Sequence, residues 1–316
     1  MKNNFKNLIN KVNNILITTH IHPDADGIGS EIALCMALRQ YGKNAICINE
    51  EELFERYKYL DPDNVVTSYA KYMEKPFDEV DLLIVTDTNS LPRAGKNVSD
   101  LATHAKELLF IDHHPCPPEL KALHCIDTTK AATGELVGEL IEELDIKFTH
   151  EMALALYTAI IIDTSSFRYP TVSAGTHEMV AKLMAAGVKP PQAFNLINGT
   201  KKVNYMQLLG KVLSGSQTSE DESIAWICLT DDMIKQHKSD AEDTHGFINH
   251  LLILENIKVA CMFRQIDKNV KVSLRSAVEE IDVGAMAQAL GGGGHNHSAA
   301  TIIEGSIDDV VKSTIN

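Results

Sequence analysis

The stretch "ILITTHIHPDADGIGS", residues 15–30, decides how the first half of the chain is read. Three aliphatic residues, Ile15, Leu16 and Ile17, run into two threonines. Two histidines and two aspartates then fall within seven positions, His20 to Asp26, before Gly27 and Gly29. A short apolar run bounded by polar and glycine residues predicts a strand, here over residues 15–19. Ser30 can cap a helix running to about Tyr41, with Gly42 as its stop signal. The ionisable groups therefore fall in a turn between strand and helix.

The pattern recurs. Residues 45–48, 82–86 and 108–111 are further candidate strands, each set between polar or helical segments. Alternation of this kind predicts βαβ units and a parallel sheet. The segments "ATGELVGELIEELD" and "THEMALALYTAIII" read as two more helices, the second apolar nearly all round and therefore buried. Helical stretches at 176–186 and 203–213 flank "GVKPPQ" and read as a connection. Strands are then expected at 224–229, 259–265 and 270–275, followed by a helix at 283–290 and "GGGGH". The expected architecture is α/β, with a parallel-sheet N-terminal domain over 1–190, a helical linker over 191–222 and a smaller α+β domain over 223–316.

Composition narrows the classes of partner. The 316 residues are 44% hydrophobic and 23% charged, as in soluble globular proteins. The N-terminal segment lacks the apolar core of a signal peptide, and the apolar run at 152–162 is too short to cross a bilayer. Six cysteines form no CxxC pair, which favours reduced thiols and a cytoplasmic location without membrane attachment. A net charge of −14 and the lack of a basic tract argue against long duplex nucleic acid, whose phosphates need many cationic contacts. A small anionic substrate held by metal ions and a few basic residues remains compatible.

The ends of the candidate strands carry the chemistry. His20, Asp24 and Asp26 follow the first, Asp87 in "TDT" follows another, and Asp112, His113 and His114 close "FIDHH". Asp163 follows the apolar run "YTAIII". Ligands of open α/β sheets bind outside the carboxyl ends of the strands, so four carboxylate-bearing segments would meet in one crevice. Close carboxylates need compensating positive charge. Two divalent cations supply it, and mixed imidazole and carboxylate ligands suit manganese, with magnesium, cobalt or iron as substitutes. Alone, "TDT" reads as an ordinary turn and "DHH" as a solvated one. Together, in one half of the chain, the four segments point to a binuclear centre.

The run "LGGGGHNHSAAT" follows a helix rather than linking a strand to one, so it is not a dinucleotide fingerprint. The backbone N–H groups of Gly292, Gly293 and Gly294 could form an anion nest, with His295 adding a donor and Arg275 a fork suited to phosphate. A flexible linker would carry polar residues on both sides, which this run does not. His297 reads as structural or solvent-facing.

These motifs, HxxxDxD, strand-end Asp, DHH and later Asp, followed by "VSLRS…DVGAMAQALGGGGH", resemble the DHH phosphoesterases and their DHH-associated C-terminal domain. The resemblance covers nearly the whole chain and is strongest for the nano-RNase, or oligoribonuclease and pAp phosphatase, branch. It implies an active site in the cleft between two domains and manganese-dependent hydrolysis of short oligonucleotides or 3'-phosphoadenosine 5'-phosphate. It further implies that His20 and Asp24 hold one metal, that Asp26, His113 and Asp163 hold the other, and that Asp87 bridges them. His114 would face the phosphate, with Asp112 orienting an imidazole, while Arg275, His295 and the glycine backbone would bind substrate. Arg168 is counted with the substrate-binding residues. Two positions depart from the family pattern: Ser165 stands where glycine is common, and Ala300 or its neighbour replaces a later glycine.

The function expected is hydrolysis of short RNA or small nucleotides by metal-activated water, with the chain as a monomer or homodimer. The rivals are a cyclic-dinucleotide phosphodiesterase, a family II inorganic pyrophosphatase, a longer-chain single-strand exonuclease and a silent nucleotide-binding protein. The last would be expected to have lost an acidic ligand, and none is missing here.

Overall fold

The computed structural model describes residues 2–116, 120–199, 201–239 and 242–315; the side chains of residues 2–4, 242–243 and 295 lie outside the description. It divides into two compact units, Met1–Gly199 and Thr200–Asn316.

In chain order the first unit comprises α1 (Lys2–Lys11), β1 (Asn14–Thr18), α2 (Ala25–Gln40), β2 (Asn44–Asn49), β3 (Val66–Ser68), α3 (Tyr69–Tyr72), β4 (Val80–Thr86), α4 (Lys96–Ala102), β5 (Ala105–Asp112), β6 (Leu123–Ile126), α5 (Thr133–Glu143), α6 (His150–Asp163), α7 (Ala174–Ala185) and α8 (Pro190–Asn198). Its six strands pair in the order β3-β2-β1-β4-β5-β6, all parallel. The order reverses direction between β1 and β4. That switch point opens a crevice at the carboxyl ends of the strands, where ligands of doubly wound sheets bind.

Both faces of this sheet are covered. Ile15 and Ile17 of β1, with Leu82 and Ile84 of β4, join one core beside α2, α5 and α6. Leu16, Leu83 and Val85 point into a second core on the opposite face. This double burial explains why the strands read as unbroken aliphatic runs instead of alternating. Each such side chain, fully buried, contributes about 1.5–3 kcal/mol.

Helix α2 is buried along nearly its whole length, from Ala25 to Leu38, so it is apolar all round in its second half. It starts earlier than Ser30. Asp24 is the cap, with Oδ1 accepting from the N–H groups of Asp26 (2.9 Å) and Gly27 (3.2 Å), and Ser30 lies within the helix. The correction matters because it places Asp26 in the first turn of a fixed element. Gly29 lets α2 approach α6, since a Cβ there would lie 2.4 Å from the Ala155 carbonyl oxygen. Asp163 is the last residue of α6, not a residue beyond it. The short edge strands β3 and β6 had no counterpart among the expected strands.

The second unit comprises α9 (Val203–Leu213), β7 (Gln217–Thr218), β8 (Ile224–Leu229), α10 (Asp231–His237), β9 (Val259–Ile266), β10 (Asn269–Ser276), α11 (Val283–Ala289), β11 (Gly293–His295), β12 (Ser298–Glu304) and α12 (Ile307–Ile315). Its sheet runs β11-β12-β10-β9-β8-β7, antiparallel except for the parallel β8–β9 pair. One face packs on α9, through Leu208, Leu209 and Val212. The other packs around Phe263, Val272 and Leu274, with α11 contributing Val283 and Ala287. Of the two helical stretches expected around "GVKPPQ", the first is α7, in the first unit, and the second is α9, in the second unit; α8 starts within "GVKPPQ" itself.

Candidate metal centre

Five elements of the first unit, β1, α2, β4, β5 and α6, deliver ligand-type side chains to the switch point. His20 leaves the end of β1, and its Nδ1 lies 2.9 Å from the Ile21 carbonyl. A carbonyl only accepts, so Nδ1 carries a proton, and Nε2 faces Asp87 Oδ2 at 3.5 Å. Asp24 spends Oδ1 on the α2 cap. Atoms of His20, Asp24 and Asp87 lie within 4.8 Å of one another.

A second group contains Asp26, His113 and Asp163. Nδ1 of His113 lies 3.2 Å from the Lys130 carbonyl, which fixes the same tautomer as in His20. Its Nε2 is 3.3 Å from Asp163 Oδ2, 3.7 Å from Asp26 Oδ2 and 3.9 Å from Asp87 Oδ1. Asp87 touches both groups, one oxygen towards each. It also adopts φ +60°, the left-handed region. This conformation is costly for most residues but tolerated by Asp and Asn. Its backbone N–H still donates to the Ile111 carbonyl at 2.9 Å, so the β4–β5 ladder holds the strained residue in place.

His114 belongs to a third group, its ligand atom within 4.8 Å of those of Asp87 and His113, and its Nδ1 lies 2.7 Å from Asp112 Oδ1. The same oxygen accepts the His114 backbone N–H at 3.2 Å. Asp112 is fully buried and orients the imidazole. Burial pushes the Asp112 carboxyl up, but the hydrogen bonds and charge of His114 outweigh it and hold the group below its usual range.

The electrostatics are those of an anion cluster. Two unit charges 4.8 Å apart repel by roughly 3 kcal/mol at an effective dielectric constant of about 20. Burial, followed by Asp26 and Asp24, drives the Asp87 carboxyl well above its ordinary value. Burial, with Asp24, also raises Asp26, against the pull of His113 and two backbone N–H groups. Burial alone would lower His113, but Asp163, Asp26 and Asp87 outweigh it and lift the imidazole to about 9. Four carboxylates and the imidazoles of His20 and His113, with Nε2 facing inward, form a donor set that fits divalent cations, without a thiolate.

Sequence reasoning passed over the turn at residues 130–135. The backbone N–H of Thr133 donates to Asp26 Oδ2 (2.7 Å), that of Gly134 to Asp26 Oδ1 (2.8 Å), and the Thr133 hydroxyl to Asp87 Oδ1 (2.9 Å). The close fit of Gly27 is of the same kind: a Cβ there would meet Thr19 Oγ1 at 2.3 Å and Asp87 Oδ2 at 3.4 Å. Thr133 and Gly134 had been read only as the opening of a helix.

Arg168 follows α6 in the chain. Ser165, Ser166 and Phe167 all have φ between +48° and +64°, a left-handed turn directly after Asp163 and Thr164. Glycine would adopt the first of these conformations without a Cβ penalty. Here the serine hydroxyl is used: Arg168 donates to Ser165 Oγ at 2.8 Å and to its carbonyl at 3.0 Å.

In the second unit, Arg275 pairs in register with Ser298, which pairs with His295. One Arg275 Nη donates to the Leu274 carbonyl at 2.9 Å, and its buried Nε has no hydrogen-bond partner among the described residues. The side chain of His295 lies outside the described residues. The glycine run is not a free nest. Gly291 and Gly292 donate to the carbonyls of Gln288 and Ala287 at the end of α11, and Gly293–His295 form β11. Gly292 is required by packing, since a Cβ would lie 2.2 Å from the Ala300 carbonyl oxygen.

Residues 14–160 match the DHH family, N-terminal domain, and residues 226–315 match the DHHA1 domain. The chain is 28% identical over 291 residues to a Thermus thermophilus protein named bifunctional oligoribonuclease and PAP phosphatase NrnA, covering 92% of this chain and 84% of that one. A Bacillus subtilis protein of the same name is 25% identical, over 93% of this chain and 91% of its own length. A crystal structure of an exopolyphosphatase-related protein from Bacteroides fragilis matches with a TM-score of 0.89 at 25% identity, over 98% of this chain and 93% of that one. The two matched stretches together account for most of the chain, and each falls inside one unit; the chain belongs to the DHH phosphoesterase family, with a DHHA1 domain after the DHH domain.

Proposed function

We propose that this chain is a manganese-dependent phosphoesterase that hydrolyses short oligoribonucleotides, down to dinucleotides, and 3'-phosphoadenosine 5'-phosphate. The observation that carries the reading is the cluster of four aspartates and three histidines at the β1–β4 switch point. The names of the Thermus and Bacillus relatives supply the substrate class. The low count of basic residues, 29 against 43 acidic, disfavours tracking along a long strand.

In this reading His20 and Asp24 hold one divalent ion, Asp26, His113 and Asp163 hold a second, and Asp87 reaches both. The ions, when bound, supply Lewis acidity and lower the pKa of water enough for attack at neutral pH. Water oxygen forms the new bond to phosphorus as the water gives up one proton, the bond to the leaving oxygen breaks, and that oxygen takes up one proton, so no net proton is consumed in the transfer. His114, held by Asp112, uses its remaining ring nitrogen to stabilise charge on the phosphoryl oxygens. Arg275, with the residue His295 and the backbone of Gly293 and Gly294, binds nucleotide phosphate in the second unit, while the Gly292 N–H is taken by the Ala287 carbonyl. Arg168, braced by Ser165, contacts substrate after Asp163. The chain works in the cytoplasm without membrane attachment. Among the described residues no helix is long and apolar enough to cross a membrane.

The test is a hydrolysis panel with chelator-stripped protein resupplied with manganese, magnesium or cobalt. It includes a diribonucleotide, a long oligoribonucleotide, 3'-phosphoadenosine 5'-phosphate, linear and cyclic di-purine nucleotides, and pyrophosphate. The expected result is metal-dependent release of mononucleotide from the dinucleotide and of phosphate from the bisphosphate, with manganese most effective and the long oligomer slow. Cleavage of pyrophosphate or of the cyclic dinucleotide in preference to both would overturn the proposal.

A further inference from the structure

The geometry points to Thr133 as a positioning residue that holds Asp26 and Asp87 ready for the ion proposed at Asp26, His113 and Asp163; the inference rests on the two-metal reading above. Helix α5 is capped by Ala132, which provides no side-chain hydrogen bond. Helices left in that state have unsatisfied N–H groups in the first turn, normally met by a Ser, Thr, Asp or Asn at the cap. Here the first two N–H groups go instead to Asp26, a residue of α2 far away in sequence, at 2.7 and 2.8 Å. A threonine serving only its own helix would sit at the cap and bond inward. Thr133 lies one position later, inside the helix, and its hydroxyl points outward to Asp87 Oδ1 at 2.9 Å.

Those contacts are selective. Asp87 Oδ1 is the oxygen near His113 Nε2, whereas Oδ2 is the one near His20 Nε2. Both carboxylates held by Thr133 therefore belong to the side of the cluster where His113 lies. The turn is itself braced from behind. Buried Glu135 accepts from Lys130 Nζ at 3.3 Å, from the Ala131 N–H at 3.2 Å and from the Thr176 hydroxyl at 2.9 Å. The Lys130 carbonyl meanwhile fixes His113. One turn thus orients an imidazole and two carboxylates, and the Thr133 side chain touches a candidate ligand directly.

Outer partners of metal ligands typically account for ten- to a hundredfold in metal affinity. Manganese(II) chloride is titrated into the chelator-stripped full-length protein by calorimetry. His113→Ala identifies which binding event belongs to the Asp26–His113–Asp163 position. Thr133→Val, which keeps the shape and removes the donor, is expected to weaken that event by about ten- to a hundredfold and leave the other at the parent value. Thr133→Ser, which restores the donor, is expected to recover most of the loss. If valine unfolds the chain, Thr133→Ala gives the same readout. A parent-like isotherm for the valine or alanine variant overturns the inference, as does equal loss of both events without rescue by serine. A parent protein that binds no manganese overturns the two-metal reading as well, so the two failures are distinguishable.

Discussion

Replacing Asp87 with asparagine separates the two roles that this residue plays in the structure. Asparagine tolerates the left-handed backbone as aspartate does, so the +60° φ need not change. The amide oxygen can still accept from the Thr133 hydroxyl, now 2.9 Å from Asp87 Oδ1. What goes is the negative charge and the second ligating oxygen, on the side of His20. Without metal, the substitution relieves repulsion from Asp26 and Asp24, the charges that help raise the Asp87 carboxyl after burial itself. The metal-free variant should therefore unfold at or above the parent temperature. With metal the order reverses. An ion at about a hundred times its Kd stabilises the folded chain by about 2.7 kcal/mol, which is about 5–10 °C for a unit of this size. The parent should show that rise in a scanning calorimeter and the variant should lose most of it. Dinucleotide hydrolysis should fall by at least about a hundredfold, because partners of ligands already cost that much at the upper end. An Asp87→Asn protein with the parent's metal-induced rise and a rate within tenfold of it would refute the bridging role.

Three further outcomes follow from other parts of the molecule. Arg275→Ala should raise KM for dinucleotides and lower kcat/KM by roughly ten- to a hundredfold, the worth of a charge-assisted contact, while calorimetry shows unchanged manganese binding; loss of bound metal instead would remove the assignment of Arg275 to substrate. Asp81 accepts from the Asn14 and Asn13 N–H groups and from Lys106, all at 2.9 Å, and these contacts hold its carboxyl down to about 2. A depressed carboxyl stabilises above its unfolded value and loses that contribution as pH falls through its folded one. Asp81→Asn should therefore lower the melting temperature by a constant amount from pH 7 to about 5, with the gap from the parent closing between about pH 4 and 2. A gap independent of pH would contradict the charge-assisted account. Gly29→Ala should cost about 1–3 kcal/mol in denaturant unfolding despite the higher helix propensity of alanine, because its Cβ meets the Ala155 carbonyl oxygen at 2.4 Å; a stabilised variant would mean that α2 and α6 do not pack this closely.

The parts of this molecule that sequence makes visible are those in which chemistry and position coincide. His20, Asp87 and His113 each follow an aliphatic run, because both faces of the sheet are buried towards the carboxyl ends of the strands. The parallel sheet and the ligand segments are legible for that reason. Strands β3 and β6 are not, being three and four residues long and largely half-exposed or exposed at the sheet edges. The cap of α2 was misplaced because Asp24 looks like a ligand, and nothing local says that one of its oxygens also holds a helix. Lys130 acts through its carbonyl, a group that every residue carries, so no side-chain signal exists. Thr133 was hidden by similar ambiguity, since a threonine at the start of a helix is expected for the helix's own sake. The left-handed turn at Ser165, Ser166 and Phe167 is invisible for the opposite reason: none of the three is a glycine.

The central claim is that the aspartate and histidine cluster at the β1–β4 switch point works as a two-metal hydrolytic centre. It is tested most directly by titrating manganese into stripped full-length protein while measuring bound metal per chain and dinucleotide hydrolysis in the same samples. The account predicts two ions per chain, with hydrolysis negligible in the stripped protein and rising chiefly as the second ion binds. Full hydrolysis in the presence of excess chelator, or saturation of activity with a single ion per chain, would contradict it.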